Sequence, residues 1–257
     1  DKSQYTCYVS SNNSRISGPL YFDEGLDGFP AYGLMPGSDI KSPYRLFMPE
    51  KLYAEYSITA TVRPANKDGG FLFSVVNPLE TVVQLGVQLI PSGPGLTNIS
   101  LLYTDANIYA LSQTIASFVV PSFAKKWSRF ALRVTTENVT LFLNCHEFDT
   151  VVVKRNPMEL VFDSASTLYV GQAGPLIRGA FHVTHQRKSN NNVTFTRFLI
   201  IKKIFIEGDG GMTWMSSLGI GRMWHRIGNS GRSGGRLLSS SGTFQASYNN
   251  NNKFTFR

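Results

Sequence analysis

The sequence has few of the features that mark disordered or membrane-spanning chains. Charged residues are only 16% of its 257 residues, whereas hydrophobic residues are 42%, which is enough apolar material to form a core. The longest apolar stretch near its end, Phe198 to Ile206, is broken by Lys202 and Lys203. That stretch is far shorter than the about 20 residues that cross a bilayer, so no membrane span is predicted.

Cysteine is scarce as well, because only Cys7 and Cys145 are present. This count fits an oxidising or a reducing compartment, and sequence alone neither establishes nor excludes a bond between the two. The chain begins at Asp1 without a hydrophobic leader, which predicts a mature form or a fragment. Four N-x-S/T sequons occur, at Asn12, Asn98, Asn138 and Asn192. Each is a weak signal alone, but together with the fold they favour secretion.

Acidic residues are almost missing from the end of the chain. Residues 1–181 contain 14 basic and 15 acidic residues, a net charge of −1, whereas residues 182–257 contain 11 basic residues and only Glu207 and Asp209. The chain's net charge of +8 is therefore a property of this tail. Because residues 208–247 are rich in Gly, Ser and Arg, the tail is predicted to be low-complexity and disordered, apart from one strand within Phe195–Ile206.

Helical periodicity is missing from residues 44–171. Short runs of β-branched and aromatic residues alternate there with turn signals, which is typical of an all-β sandwich or barrel. Between Ser128 and Cys145, apolar and polar residues alternate with a period of two on both sides of a tight turn, which predicts a hairpin with one face in the core. The predicted strands are Tyr44–Phe47, Tyr53–Arg63, Gly70–Val76, Val82–Ile90, Ile99–Tyr103, Thr114–Val120, Ser128–Thr135, Asn138–Cys145, Thr150–Val153 and Ser166–Gly171.

Patterns that carry catalysis are also missing. There is no Gly-x-Ser-x-Gly elbow. Some sandwich glycosidases place a Glu, an Asp and a second Glu at alternate positions of one strand. Glu147 and Asp149 match the first two positions, but Val151 stands where the second glutamate is required. Cys145 shares the inward parity of Leu141, so we expect a buried thiol or a disulfide partner rather than a nucleophile. The sequence therefore predicts a protein that is not an enzyme.

Metal ligands are sparse. His182 and His185 are three residues apart, without a nearby cysteine or carboxylate to complete a zinc site. Loop carboxylates can bind calcium, and Asp68 and Asp105 are the candidates for this. Nothing in their spacing pairs them, so no cofactor is expected and calcium stays an open possibility.

A basic cluster lies around the start of one predicted strand. Lys125 and Lys126 precede the strand, and Arg129 and Arg133 alternate with its core residues. An outward basic stripe is therefore predicted. Lys154-Arg155 would extend this stripe if the two strands are neighbours. The stripe suits a sulfated glycosaminoglycan, but an ordinary solvated sheet face is the simpler explanation and is favoured. Nucleic acid is not expected, because the aromatic residues have core parity and do not form a stacking platform. The sequons at Asn98 and Asn138 border predicted strands at accessible places.

Several segments resemble the thrombospondin N-terminal-like module of collagens, a variant of the laminin-G jelly-roll sandwich. They are Leu72–Val75, Val83–Leu89, Ile99–Thr104, Ala116–Phe118, Trp127–Leu132, Leu141–Phe148 and Leu168–Gly174. Within that group the chain is most similar to the amino-terminal region of the endostatin-bearing collagens XV and XVIII. The resemblance divides the chain into a loop-rich segment 1–39, the module itself at 40–181 and the basic tail 182–257.

Two departures from the family follow Phe181. Such modules usually end with a strand of the type Gly-x-Ile-x-Glu-Leu and a second cysteine, which pairs with the one at Cys145, but no cysteine follows here. Collagen Gly-X-Y repeats are missing too, so a trimer is expected only through a collagen region absent from this sequence. We therefore hypothesise that residues 182–257 are not the natural continuation of the module, and that the sandwich is less stable unless Phe195–Ile206 fills the missing edge.

The resemblance implies a non-catalytic extracellular-matrix or basement-membrane module, structural and adhesive, that binds matrix glycosaminoglycans or matrix proteins. One alternative keeps the fold as a carbohydrate-binding lectin or a degenerate glycosidase. Another is a nucleic-acid binder that acts through the basic tail.

Overall fold

The computed structural model describes residues 15–17, 20–24, 26, 30–34, 38–179, 199–208, 211–215, 246–249 and 253–256. Its strands, in chain order, are β1 Arg15–Ser17, β2 Leu20–Glu24, β3 Pro30–Leu34, β4 Asp39–Pro43, β5 Tyr56–Pro64, β6 Gly70–Val76, β7 Val83–Pro91, β8 Leu96–Tyr103, β9 Thr114–Pro121, β10 Ser128–Val134, β11 Asn138–Leu143, β12 His146–Val152, β13 Thr167–Val170, β14 Leu199–Gly208, β15 Gly211–Met215, β16 Ala246–Asn249 and β17 Lys253–Phe256. Among these residues the only helix is one 3-10 turn, Tyr44–Leu46. The predicted strand at Tyr44–Phe47 is therefore wrong.

Two antiparallel sheets contain almost all of these strands. Sheet one has the order β1-β4-β13-β6-β7-β8-β9, and sheet two has the order β12-β11-β10-β5-β14-β3-β2, with β15 paired to β14. Buried side chains from both sheets, such as Phe73 and Ile99 from sheet one and Phe130 and Leu141 from sheet two, belong to one apolar core. The all-β sandwich predicted from the period-two pattern is thus confirmed.

Sheet one is also covered on its second face, over β6 and β13. Leu102 and Tyr169 alternate with core residues and therefore face away from the core, where they form a smaller apolar cluster with Phe71. The segment 171–179 folds back over this cluster, since the carbonyl of Gly179 accepts a hydrogen bond from Phe71 N at 2.8 Å. The basic residues predicted for β10 belong to the other sheet, sheet two.

Strand β14 occupies an interior position of sheet two. It pairs with β5 from Leu199↔Pro64 to Gly208↔Tyr56, with one register shift, and with β3 on its other side. The single strand predicted within Phe195–Ile206 is confirmed, and it lies between two strands rather than at an edge. Strands β1–β3 fall in the segment that was predicted to be loop-rich.

The chain divides into two units, residues 1–226 and residues 227–257. The second unit contains a hairpin in which β16 pairs with β17, from Ala246↔Phe256 to Asn249↔Lys253. The junction at Phe181, the histidines His182 and His185, and the rest of the tail predicted to be disordered lie outside the described residues.

Candidate functional site

The four basic residues predicted to form a stripe lie along β10 and the loop before it. Lys125 and Lys126 are exposed in that loop, and Arg129 and Arg133 are exposed on β10. Because Phe130, Leu132 and Val134 are buried in the core, the alternation along β10 directs both arginines to the outer face of sheet two. We call Lys125, Lys126, Arg129 and Arg133 the basic face.

The loop that carries the two lysines is fixed by hydrogen bonds to its neighbours. Lys125 adopts a φ of +64°, and its backbone N donates to the carbonyl of Pro64 at 2.6 Å. Lys126 N donates to the carbonyl of Phe123 at 3.0 Å. These bonds hold the lysines beside the end of β5, so their charges join the start of the basic face.

The Arg133 side chain leans back along β10 toward Arg129. Arg129 and Arg133 are four positions apart on β10, so their Cα atoms lie about 13 Å apart. The Arg133 guanidinium, however, lies 5.5 Å from the ring centroid of Phe142 on β11, and Phe142 is the register partner of Ala131, midway between the two arginines. A guanidinium on an aromatic face keeps its charge while its side chain loses freedom. This contact therefore holds the Arg133 charge on the side of its backbone nearer to Arg129.

One further side chain adjoins the basic face, and one further basic residue is in register with it; the sequence singled out neither. The guanidinium of Arg63, on β5, lies 5.2 Å from the ring centroid of Trp127. Lys203 of β14 is the register partner of Thr61, which is also the register partner of Arg129. Neither position can be found by local alternation, because both depend on which strands are neighbours.

Arg155 does not extend the basic face. It is only 6% exposed, and its guanidinium donates to three backbone carbonyls, those of Met158 at 3.0 Å, Thr135 at 2.8 Å and Ala54. It also lies 5.5 Å from the ring centroid of Tyr103. The expectation that Lys154-Arg155 continues the stripe is therefore wrong for Arg155, because that side chain turns inward to join three segments.

The tyrosines around Arg155 are affected by the same burial. Desolvation raises the pKa of Tyr103 to about 12, although the nearby Arg155 charge acts in the opposite direction. Burial also raises the pKa of Tyr56, with a smaller opposing effect of Arg155. Both phenols therefore keep their protons throughout the physiological range.

Cys145 is not buried, contrary to the prediction. It is exposed and forms no disulfide among the described residues. Asn144 and Cys145 both have positive φ, +50° and +70°, so they form the two-residue turn between β11 and β12 rather than the end of a strand. The inward parity of Leu141 consequently does not reach Cys145. Its role as a disulfide partner stays a prediction, and Cys7 lies outside the described residues.

The two sequons lie on opposite sheets. Asn98 is inside β8 of sheet one rather than before a strand, and Asn138 begins β11 of sheet two. Both side chains are half-buried, and the amide oxygen of each is buried without a hydrogen-bond partner among the described residues. Their glycosylation stays a prediction.

The carboxylates considered for calcium or catalysis are not brought together. Asp68 follows β5 near the Gly70↔Leu89 end of sheet one, where it accepts a hydrogen bond from Asn66 at 2.7 Å, whereas Asp105 follows β8 at the opposite end. Among the described residues no group of three or more His, Cys, Asp or Glu side chains could hold a metal ion.

Glu147 and Asp149 are exposed on β12, an edge strand. A register shift opposes Asp149 to Leu141 and Glu147 to Phe142, so the intervening Phe148 forms a bulge. The bulge removes the strict alternation that would direct the two carboxylates into one cleft.

Comparisons with known proteins find similar sequences, and one of them is a collagen chain. The human collagen alpha-1(XVIII) chain is 32% identical over 144 residues, which are 56% of this chain and 8% of that one. The match supports a thrombospondin N-terminal-like, laminin-G-like domain in this chain. It confirms the resemblance to the endostatin-bearing collagens, while this chain spans only a small part of that relative's length. No protein-family model matches the sequence.

Solved structures give a looser likeness. The mouse laminin alpha1 chain domains LG4-5 have 14% identity and a TM-score of 0.41 over 80% of this chain and 45% of that one. A heptameric pentraxin from Limulus polyphemus has 13% identity and a TM-score of 0.44 over 66% of this chain and 70% of that one. Values this low say nothing about ligands. In the described part of the chain, no helix is long and apolar enough to cross a bilayer.

Proposed function

We propose that the thrombospondin N-terminal-like domain is a non-catalytic extracellular-matrix module that binds sulfated glycosaminoglycans through its basic face. The observation that carries this proposal is the arrangement of Lys125, Lys126, Arg129 and Arg133 as exposed residues along the outer side of β10 and the loop before it. A linear polyanion such as heparan sulfate carries its charges at intervals along one direction, as the basic face does along β10. The similarity of this protein to a collagen XVIII chain supports an extracellular-matrix location.

The charges of Lys125, Lys126 and Arg133 are available to a ligand. Among the described carboxylates, none forms a salt bridge with Lys125, Lys126 or Arg133, whereas Lys41 pairs with Asp39 and Lys51 pairs with Glu159. Because these side chains are exposed, their attraction for a polyanion depends on solvent screening. Binding of this kind weakens as salt is added.

Heparin binding at increasing sodium chloride, together with a glycan array, tests the proposal. We expect binding to heparin and to other highly sulfated chains, with affinity that falls steeply between low and physiological salt, and no binding to neutral sugars. Binding to neutral sugars that is insensitive to salt would contradict the proposal and favour a lectin. Hydrolysis of an array glycan would contradict the non-catalytic assignment.

A further inference from the structure

We infer that Asn138 carries an N-linked glycan that limits how far an acidic chain extends along the basic face. The effect of the glycan on polyanion binding rests on the proposed function, whereas the glycosylation of Asn138 does not. Asn138-Val139-Thr140 is a sequon, and Asn138 is the first residue of β11.

The backbone directs Asn138 to the outer face of sheet two. Val139 is buried in the core, so the alternation along β11 places Asn138 on the opposite side. Its register partner on β12 is Val152, which is 83% exposed. The surface on the β12 side of Asn138 is therefore open, so a sugar on Nδ2 has room on that side, while the amide oxygen is buried.

The turn that precedes β11 holds this attachment point in place. Thr135 N donates to the carbonyl of Asn138 at 2.9 Å, and Asn138 N donates to Thr135 Oγ1 at 3.1 Å. Val153 N donates to the carbonyl of Glu137 at 2.9 Å, which joins the turn to the end of β12. The first sugar would thus leave the protein from a constrained position.

The modification requires an activated donor and an accessible sequon. The donor is an oligosaccharide linked through a diphosphate to a lipid. Asn138 Nδ2 forms a bond to the anomeric carbon, the bond from that carbon to the diphosphate oxygen breaks, and an amide proton leaves. Thr140 is buried in the folded domain, and its hydroxyl accepts a hydrogen bond from Thr150 at 2.9 Å. The transfer therefore precedes the pairing of β11 with β12.

The position of Asn138 determines which end of the basic face the glycan affects. Arg133 is the register partner of Thr140, two residues from Asn138 on the same face, whereas Lys125 and Lys126 lie beyond the other end of β10. A glycan on Asn138 would therefore shield the side of Arg133 that faces away from Arg129 and leave the lysines open. Asn98 lies on sheet one, on the other side of the sandwich, so a glycan there would leave the basic face uncovered.

The test uses the full chain secreted from a glycosylating eukaryotic host. Mass spectrometry of its peptides is expected to show a glycan on Asn138, and its absence would overturn the inference. We expect Asn138→Gln to bind heparin several-fold more tightly than the glycosylated chain, while Asn98→Gln changes nothing. Arg133→Ala should reduce affinity more in the Asn138→Gln background than in the glycosylated chain.

Enzymatic trimming of the glycosylated chain to a single sugar repeats the comparison without a substitution, in case Asn138→Gln folds poorly. A glycosylated Asn138 with equal affinities before and after trimming would overturn the coupling alone. If the unglycosylated chain also fails to bind heparin, the proposed function and the coupling both fail, and the peptide masses still decide whether Asn138 is modified.

Discussion

The Nη2 atom of Arg155 donates a hydrogen bond to the carbonyl of Thr135 at 2.8 Å, which ties the end of β10 to the segment that follows β12. The same guanidinium bonds to Met158 and Ala54. Arg155→Ala would leave these carbonyls without a donor, so we expect it to lower the free energy of unfolding by about 3 kcal/mol. Chemical denaturation measures this loss.

The neighbouring Lys154 is exposed and provides the control. Lys154→Ala is expected to change the free energy of unfolding by less than about 0.5 kcal/mol. Equal effects of the two substitutions would show that Arg155 does not hold these segments together.

Tyr56 predicts how stability changes at high pH. Burial raises its pKa above the 10.0 of an unfolded tyrosine, and that of Tyr103 rises to about 12. The folded state then holds phenolic protons that the unfolded state loses, so the free energy of unfolding is highest below pH 10 and falls as the pH rises toward 12. Denaturant titrations across this range measure the slope.

Tyr56→Phe should make that fall shallower. The Tyr56 hydroxyl has no hydrogen-bond partner among the described residues, so its removal is expected to cost little stability at pH 7. An unchanged slope above pH 10 would be inconsistent with a buried phenol at this position.

Gly69 and Gly95 form a matched pair for testing the loops around sheet one. Their φ angles are nearly equal, +75° and +73°, but a Cβ on Gly69 would meet the carbonyl of Leu89, while one on Gly95 meets nothing within 4 Å. Gly95→Ala is expected to cost about 1 kcal/mol of backbone strain, and Gly69→Ala about 2 kcal/mol more because of the clash. Thermal unfolding of both variants checks this, and equal losses would refute the close approach.

The interior position of β14 can be tested by a disulfide. Thr61 and Lys203 are register partners, and paired Cα atoms lie about 4.5–5.5 Å apart, within the range a disulfide spans. In a chain with both native cysteines replaced by serine, Thr61→Cys with Lys203→Cys should oxidise readily. The control is Thr61→Cys with Phe205→Cys, because Phe205 pairs with Thr59. Oxidation of the control pair, but not of the first, would place β14 in another register.

Local alternation was sufficient to predict β10 and the outward direction of Arg129 and Arg133. It failed at Cys145 because the chain leaves the strand at Asn144, and an Asn-Cys pair with two positive φ angles lacks the glycine that normally signals this turn. It also failed at Tyr44, because Tyr44–Leu46 forms a 3-10 turn in which the buried Tyr44 ring packs against Phe162. In these cases a short segment deviates from the period that its neighbours share.

Other features depend on contacts between distant segments. Arg155 follows a strand and looks like a surface cation, yet its carbonyl partners Ala54 and Thr135 are 101 and 20 residues away. The position of β14 between β5 and β3 likewise depends on strand neighbours, which the residue pattern of β14 does not specify. The same holds for the Arg63–Trp127 contact beside the basic face.

The central claim is that a polyanion binds along β10, and the most direct measurement is heparin affinity of a chain that carries Lys125→Ala, Lys126→Ala, Arg129→Ala and Arg133→Ala. The control carries Lys41→Ala, Lys51→Ala, Lys67→Ala and Arg178→Ala, which remove an equal charge outside β10 and the loop before it. We expect the first variant to lose at least tenfold in affinity and most of the salt dependence. Equal losses in both variants, with unchanged folding, would contradict a binding site on the basic face.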